Sequence, residues 1–248
     1  MDDSQLLRYS RQILLPQIEF AGQQKLAHAT VLVVGLGGLG SPVAMYLAAS
    51  GVGHLLLADF DRVDLPNLQR QIVHDTAHIG QLKVESARAT LHALNPEIQV
   101  TTISERFTET TLETQVRVAD VVVDCTDNFA TRFAINTACV HTGTPWVSGA
   151  AIRFSGQITV FLPNNPESPC YRCLYTDEVE LAETCTANGV IAPLVGVIGS
   201  MQAIEVLKII LNTGQTLCGK LLLFEALTME WRTVKIRKDP LCPVCSAK

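Results

Sequence analysis

Charged residues are scarce in this chain, and no excess of basic residues is present. Lys, Arg, Asp and Glu make up 17% of the 248 residues, whereas a typical soluble domain carries about 25%. The formal net charge is −5, while a nucleic-acid-binding domain usually has a basic face and a pI above about 9. The composition therefore argues against nucleic acid as a partner. The low charge also predicts that a partner subunit covers part of the surface.

Export and membrane signals are also missing from the sequence. The N-terminus is acidic at Asp2 and Asp3, and no apolar segment typical of a signal peptide follows. The longest uncharged stretch, residues 184–204, contains Thr, Asn, Pro, Ser and Gln side chains and three glycines. It is too polar for the span of about 20 apolar residues that a bilayer needs. We therefore expect a cytoplasmic protein with no membrane partner.

Strand and helix patterns alternate through the first part of the chain. Strand patterns lie at 30–34, 54–58, 100–104, 120–124 and near 145–148. Helical patterns predict two short N-terminal helices within 4–29 and further helices at 42–50, 77–94, 110–118 and 130–142. Later strand patterns, with one helix near 199–211, lie at 157–162, 220–224 and 231–236. These patterns predict an α/β fold, a Rossmann-like open sheet whose parallel N-terminal half continues into antiparallel strands.

A glycine-rich loop follows the first strand. Gly35, Gly37 and Gly40 fit the pattern G-x-G-x-x-G between a strand and a helix, and Asp59 ends the next strand 19 residues after Gly40. In this context the glycines let the backbone approach phosphate groups at a helix N-terminus, and the carboxylate accepts hydrogen bonds from ribose hydroxyls. The loop predicts a nucleotide site, and taken alone it favours NAD.

Two cations and a further carboxylate favour a triphosphate over NAD. Arg70 follows the strand that ends at Asp59, and Lys83 comes at the start of the next helix. A triphosphate needs such cations because charge builds on its oxygens when the α-phosphate is attacked, although either residue alone could be a solvated surface charge. Asp127 follows the fourth strand, at the sheet edge where open α/β sheets bind ligands. Its carboxylate suits Mg²⁺, which prefers one or two carboxylates with phosphate oxygens and water.

Five segments and two Cys-x-x-Cys pairs together resemble the MoeB/ThiF family of adenylyltransferases, which are related to ubiquitin-activating enzymes. The segments are Arg8–Ile13, Gly35–Gly40, Asn67–Gln71, Asp124–Asn128 and Gly189–Pro193. The resemblance implies an enzyme that uses Mg·ATP to adenylate the C-terminal Gly-Gly carboxylate of a ubiquitin-like sulfur-carrier protein, releasing pyrophosphate. One departure is Pro66, where the family often has Ser. Proline lacks a backbone N–H, and we expect the change to be tolerated.

The same resemblance implies roles for individual residues. It places around ATP the residues Gly38, Asp59, Asn67, Arg70, Lys83, Asp127 and Asn128. Arg11 would reach the ATP of the other subunit in a homodimer, and so joins the implied catalytic residues Arg70, Lys83 and Asp127.

No linker or repeat divides the chain. We therefore expect one adenylation domain over 1–248, with N-terminal helices at 1–29, a nucleotide-binding half at 30–148, and a carrier-binding and zinc half at 149–248.

Four of the eight cysteines form the pairs Cys170/Cys173 and Cys242/Cys245. Four thiolates make a closed tetrahedral Zn²⁺ site, which is structural because no coordination position remains for water. The alternative is a thioredoxin-like redox pair at Cys242 and Cys245, but that motif would need to open a helix and only three residues follow it. We favour a zinc staple that ties the C-terminal tail to the sheet, and the resemblance agrees.

The remaining cysteines divide into two groups. Cys185 lies in the polar segment 176–188, where a family cysteine can form a covalent link to the carrier during sulfur transfer. An incidental thiol is the alternative, because reactivity depends on exposure and on the thiol pKa. We expect Cys125, Cys139 and Cys218 to be small hydrophobic side chains.

The main hypothesis is therefore ATP-dependent adenylation of a sulfur carrier. Residues 147–153 and 156–160 look more like the molybdopterin branch, which favours the small subunit of molybdopterin synthase and a role in molybdenum cofactor biosynthesis. The thiamine-pathway sulfur carrier is the alternative with the same chemistry. We expect no fused sulfurtransferase domain, and hence a separate protein as sulfur donor. The alternatives of other classes are an NAD-binding oxidoreductase and a non-catalytic carrier-binding scaffold.

Overall fold

The computed structural model describes residues 1–175 and 189–246, in which eight strands form a single sheet. The strands are β1 (Thr30–Val34), β2 (His54–Ala58), β3 (Gln99–Ile103), β4 (Val121–Asp124), β5 (Trp146–Ile152), β6 (Ser155–Phe161), β7 (Lys220–Glu225) and β8 (Glu230–Lys235). Their order is β3-β2-β1-β4-β5-β6-β7-β8. Pairing is parallel from β3 to β5 and antiparallel from β5 to β8. The predicted parallel half with an antiparallel continuation is confirmed.

Helices cover both faces of this sheet. They are α1 (Asp3–Arg8), α2 (Ser10–Ile13), α3 (Glu19–His28), α4 (Gly40–Ala49), α5 (Lys83–Leu94), α6 (Glu109–Val118), α7 (Phe129–Thr142), α8 (Tyr171–Leu174) and α9 (Ala192–Leu211). Side chains of α3, α4, α5 and α9 share one core with Val31 and Val33 of β1. Side chains of α6, α7 and α8 share the other core with Leu32 and Val34. Both faces of β1 are therefore buried, as its uninterrupted aliphatic sequence predicts.

Two expected helix starts and one expected number of helices were wrong. The helix expected over 77–94 begins at Lys83, because 76–78 form a 3₁₀ turn capped by Asp75 and Gly80 then takes a φ of +87°. The helix expected near 199–211 begins at Ala192, with Pro193 in its first turn, where the missing N–H of proline leaves no hydrogen bond unmade. The N-terminal segment forms three helices, α1 to α3, and not two.

Among the described residues, α9 is the one helix long and apolar enough to cross a membrane by length and composition. It has 20 residues and a mean hydropathy of 1.8, and half of its most apolar window is buried inside the molecule. Val195, Ile198 and Val206 belong to the core that the helix forms with β5, β6 and α4. This packing against the sheet accounts for its apolar composition.

The glycine loop between β1 and α4 runs very close to neighbouring backbone. Gly35 has a φ of +91°, and a Cβ there would lie 2.9 Å from the carbonyl oxygen of Cys125. A Cβ on Gly40 would lie 1.9 Å from the carbonyl oxygen of Gly35. Both positions therefore require glycine. The tight turn places the loop at the carboxyl edge of the sheet, between β1 and β4, where the strand order reverses and open α/β sheets bind ligands.

Candidate functional site

A cleft of about 1520 Å³ opens at this carboxyl edge. One part is lined by the glycine loop and by the ends of β1, β2 and β4. The other part continues along the antiparallel strands, where Gln157, Phe224, Thr228 and Trp231 line it. Small-molecule sites usually measure about 300–1,000 Å³. The cleft therefore has room for a nucleotide beside the glycine loop and for a second ligand along β6 and β7.

Most of the residues implied to surround ATP line this cleft. The lining residues among them are Gly38, Asp59, Arg70, Lys83, Asp127 and Asn128. Asn67 is not part of the lining, because its side-chain oxygen accepts a hydrogen bond of 3.1 Å from the backbone N–H of Asp64. It thereby closes the 3₁₀ turn Leu65–Asn67, which lies just before Arg70. Arg11 is exposed on α2 and lies outside the cleft of its own chain.

Asp59 holds the glycine loop as well as facing the cleft. One carboxylate oxygen accepts the backbone N–H of Leu36 at 2.7 Å, and the other accepts the backbone N–H of Asp61 at 2.9 Å. A carboxylate offers about four lone-pair positions, so two hydrogen bonds leave acceptor capacity for a ligand. The geometry thus combines a fixed loop with an acceptor at the position expected for ribose hydroxyls.

Both predicted cations line the cleft. The Lys83 side chain is only 7% exposed, and its Nζ lies 3.0 Å from a carboxylate oxygen of Asp61, which is 54% exposed. Arg70 donates from its guanidinium to the carbonyl oxygen of Pro66 at 3.1 Å. An ammonium has three donors and a guanidinium five, so both retain donors for an anion. Positive charge therefore lies next to the glycine loop, as phosphate binding requires.

A buried ion pair lies at the end of β4, where Arg132 lines the cleft. Asp124, at the end of β4, accepts hydrogen bonds from Thr126 at 2.7 Å and from Ser148 at 2.9 Å. The Nε of Arg132 lies 3.5 Å from the same carboxylate. Burial is the largest single influence and would lower the pKa of Arg132, but the charge of Asp124 together with Tyr171 and Tyr175 raises that pKa above its ordinary value. Beside this pair, Asn128 begins α7 by accepting the backbone N–H of Thr131 at 2.9 Å.

The four paired cysteines meet in one cluster, with all four Sγ atoms within 4.8 Å of one another. The shortest contacts join different motifs: Cys170 to Cys242 at 3.6 Å and Cys173 to Cys245 at 3.5 Å. Zinc–sulfur bonds of about 2.3 Å in a tetrahedron place sulfur atoms about 3.8 Å apart, whereas a disulfide requires about 2.05 Å. The donor set and its spacing therefore fit a tetrahedral metal ion.

N–H groups donate hydrogen bonds to two sulfur atoms of the cluster and favour a thiolate at Cys173. The backbone N–H groups of Asp239 and Cys170 donate to the Sγ of Cys173 at 3.4 and 3.5 Å. The Asn136 side chain donates to the Sγ of Cys170 at 3.7 Å. The Cys170 thiol, with the backbone N–H groups of Asp239 and Cys170, lowers the pKa of Cys173 to about 5. The hydrogen bond to Cys173 in turn raises the pKa of Cys170, and burial raises that of Cys245 to about 12. Such outer donors are typical of sites that hold a metal through deprotonated ligands.

Comparison with known proteins decides the family. The model of the ThiF family matches residues 9–244. This chain belongs to the ThiF family. It is 47% identical over 245 residues to molybdopterin-synthase adenylyltransferase of Escherichia coli strain K12, covering 99% of this chain and 98% of that protein. It is 48% identical over 245 residues to sulfur carrier protein ThiS adenylyltransferase of the same strain, covering 99% and 97%.

Solved structures of this ThiF-family fold agree with the sheet described above. A crystal structure of Escherichia coli MccB with ATP matches with a TM-score of 0.83 and 26% identity, covering 96% of this chain and 73% of that chain. The resemblance drawn from the sequence motifs is thus confirmed.

Sequence reasoning missed several residues of the ThiF-family cleft. Arg132 is one of them, although the carboxylate of Asp124 inside a buried strand was a usable signal, because a buried charge needs a partner. The pair formed by Arg106 and Phe60, whose guanidinium lies 3.6 Å from the ring centre, also lines the cleft. These two residues come from different loops and no spacing links them. Trp231 also lines the cleft, where its ring stacks on Phe224.

The remaining cysteines of this ThiF-family chain are accounted for only in part. Cys125 and Cys139 are buried, and burial raises the pKa of both thiols well above the ordinary value. They are therefore small apolar side chains, as predicted. Cys218 is half-buried. Cys185 lies outside the described residues. A covalent link to the carrier and an incidental thiol therefore both stay predictions.

Proposed function

We propose that this chain is an ATP-dependent adenylyltransferase acting on the C-terminal Gly-Gly carboxylate of a ubiquitin-like sulfur-carrier protein. One observation carries the proposal: Lys83, Arg70 and Asp127 lie in a single cleft with the glycine loop. An NAD-binding oxidoreductase has no use for these three groups around its pyrophosphate. Two relatives of nearly equal length, whose names describe adenylyltransferases, support the same reaction class.

The reaction needs no nucleophile from the protein. A carboxylate oxygen of the carrier attacks the α-phosphorus of ATP, the bond to the bridging oxygen breaks, and pyrophosphate leaves with the electron pair. Lys83 and Arg70 stabilise the negative charge that builds on the phosphate oxygens, and Asp59 accepts hydrogen bonds from the ribose. Asp127 would hold Mg²⁺, which neutralises phosphate charge when bound. The remaining contribution of the chain is to hold carboxylate and phosphate in line.

The second part of the cleft suits the carrier tail. It runs along β6 and β7, and a Cβ on Gly156 of β6 would lie only 2.6 Å from the side chain of Ile198. Glycine at this position lets α9 pack closely against β6, and the length of the cleft along these strands suits an extended Gly-Gly segment that must reach the α-phosphate. We propose the small subunit of molybdopterin synthase as the carrier, in molybdenum cofactor biosynthesis, with a separate protein as sulfur donor.

The thiamine-pathway carrier is the second candidate. A molybdopterin-synthase adenylyltransferase and a ThiS adenylyltransferase are 47% and 48% identical to this chain, so identity supports both carriers equally. The deciding experiment is exchange of labelled pyrophosphate into ATP, measured with each purified carrier. Exchange that depends on a carrier with an intact C-terminal Gly-Gly is the expected result. Absence of exchange with either carrier would contradict the proposed function.

We propose that the whole chain is one domain that works as a homodimer in the cytoplasm, with Arg11 of each subunit completing the other subunit's site. The helices around Arg11 support an interface, because Leu7 and Leu14 expose large apolar side chains there. Exposed apolar surface of this kind commonly marks an interaction site.

Mixing Arg11→Ala subunits with Lys83→Ala subunits should restore activity that neither variant has alone. In a mixed dimer, one site receives both changes and the other receives neither. Random one-to-one pairing makes half of the dimers mixed, so about a quarter of wild-type exchange is expected if subunits pair at random. Differently tagged subunits confirm that mixed dimers form. If confirmed mixed dimers show no recovery, Arg11 does not act across an interface.

We propose Zn²⁺ as the ion of the cysteine cluster. Support comes from four thiol ligands at tetrahedral spacing. The ion would be structural, because four protein ligands leave no open coordination position.

A further inference from the structure

His74 is a buried histidine behind the glycine loop. It is 6% exposed and does not line the cleft. Its Nε2 lies 3.1 Å from the carbonyl oxygen of Leu36, and its Nδ1 lies 2.9 Å from the hydroxyl oxygen of Ser86. The ring therefore joins the glycine loop to helix α5 without contacting the space where a nucleotide would lie.

These two contacts determine where the imidazole proton is. A carbonyl oxygen can only accept a hydrogen bond, so Nε2 carries the proton, and in the neutral ring Nδ1 accepts from the Ser86 hydroxyl. Burial lowers the pKa of His74 below its ordinary value of 6.5. The hydrogen bond to Leu36 and the charge of Asp59 act in the opposite direction, while Lys83 lowers the pKa further. The ring is therefore neutral at pH 7, with one defined tautomer.

The backbone of Leu36 is held from two sides. Its N–H donates to Asp59 at 2.7 Å, and its carbonyl oxygen accepts from His74 at 3.1 Å. The restraints act on two consecutive peptide units, and the second of these leads into Gly37, which lines the cleft with Gly38. The loop that would receive the phosphates is thus fixed by the carboxylate of Asp59, which follows β2, and by the imidazole of His74.

The other contact of His74 reaches the helix that carries Lys83. Ser86 lies three residues after Lys83 on α5, so one turn of helix connects the hydroxyl that holds the ring to the buried ammonium. Residues three apart on a helix lie on the same side. Movement of His74 would therefore change the position of the glycine loop relative to Lys83.

We propose that His74 is a positioning residue for adenylation. It holds the glycine loop and the first turn of α5 in the arrangement in which loop N–H groups and Lys83 contact the phosphates of one nucleotide. This inference rests on the proposed function, since it assumes that a nucleotide triphosphate occupies the cleft. The alternative is a core histidine whose hydrogen bonds only stabilise the fold.

Two substitutions separate the two contacts of the ring. The amide nitrogen of His74→Gln reaches the position of Nε2 and can still donate to Leu36. The shorter side chain of His74→Asn reaches only the position of Nδ1, so it keeps the Ser86 contact and leaves the Leu36 carbonyl without its donor. His54→Gln is the matched control, because His54 bonds to Thr101 at 2.8 Å at the opposite edge of the sheet.

The readouts are the Kd of Mg·ATP by titration calorimetry, the steady-state constants of carrier-dependent exchange, and the melting temperature. His74→Asn should weaken Mg·ATP binding and lower kcat/KM for ATP by about tenfold, as expected for a buried carbonyl that loses its donor. Its KM for the carrier should not change. His74→Gln should stay within about threefold of wild type, and His54→Gln should bind Mg·ATP as wild type does.

Several outcomes would overturn the inference. The first is an equal Kd of Mg·ATP in folded His74→Asn and in wild type. The second is an equal loss of ATP binding in the Asn and Gln variants that only follows their loss of melting temperature. If His74→Asn does not fold, Ser86→Ala releases the other side of the ring and should weaken ATP binding. Unchanged binding in that variant would contradict the positioning role. Wild-type protein that binds no Mg·ATP would contradict the proposed function itself, which is a distinct result.

Discussion

Lys83→Ala should lower carrier-dependent pyrophosphate exchange by about 10²–10³, the usual cost of losing one preorganised group that stabilises a developing anion. Lys83 is almost fully buried, yet its nearest carboxylate, on Asp61, is more than half exposed. Water screens the exposed carboxylate of Asp61, so its attraction for the Lys83 ammonium is weak. The cation is therefore free to act on phosphate oxygens, and its own burial lowers the local dielectric, so its charge acts more strongly there than in bulk water.

The control for this change lies on the same helix. Arg88→Ala removes an exposed cation of α5 that pairs with Glu85 and does not line the cleft, so exchange should stay within about twofold of wild type because surface pairs contribute little. Arg70→Ala should fall in the same range as Lys83→Ala. Exchange within threefold of wild type for both cleft variants would contradict the assignment of the ATP site.

Cys242→Ala should remove bound zinc and lower the melting temperature together. Cys242 is fully buried and clusters with Val140 and the other three cysteines. Structural zinc sites in small peptides show apparent binding energies of about 10–16 kcal/mol. In a chain of this size, each kcal/mol of lost stability lowers the melting temperature by about 2–4 °C. A fall of 10 °C or more is therefore expected, with zinc measured by elemental analysis and melting by calorimetry.

The nucleotide site provides the second readout of the Cys242 experiment. None of the four cysteines lines the cleft, so the fraction of Cys242→Ala that stays folded should bind Mg·ATP with wild-type affinity. Cys218→Ala is the matched control, because Cys218 is half-buried and lies outside the cluster; it should keep zinc and melt as wild type does. Purified protein without zinc, in which Cys242 and Cys245 form a reversible disulfide, would support the redox alternative instead.

Much of the parallel half of the fold could be predicted because β1, β2 and β4 are buried on both faces. The apolar runs at 30–34 and 54–58 match β1 and β2 residue for residue. The start of α5 could not be found from periodicity, because 76–78 continue a helical pattern while Gly80 turns the chain away from it. The sequence predicts too late a start for helix α9, because the glycines and Pro193 of its first half are typical of a loop. Packing of the helix against β5 and β6 outweighs the low helix propensity of these residues.

The candidate site was predictable where one short segment carries the chemistry. The glycine loop, Asp59 and Asp127 each follow the end of a strand, and strand ends meet at one edge of the sheet. Contacts between residues far apart in the chain leave no pattern in the sequence and could not be predicted. His74 meets Leu36 across 38 residues of sequence, and Arg106 meets Phe60 from another loop. Asn67 was wrongly expected in the lining of the cleft. It stands at the position that the family motif gives for an ATP-site residue, but its side chain closes a turn instead.

The cysteine cluster has a topological consequence for the antiparallel half of the sheet. Cys170 and Cys242 are 72 residues apart, and the chain between them includes α9, β7 and β8. A bound metal would turn this stretch into a closed ring, and by the chain-entropy estimate a ring of that size disfavours the unfolded state by about 4 kcal/mol. The edge strand β8 could then not fray progressively from the C-terminus. The β8 amides that donate to β7 should therefore exchange with solvent more slowly when the metal is bound than after its removal, although in the described part of the chain β8 has no neighbouring strand on its outer side.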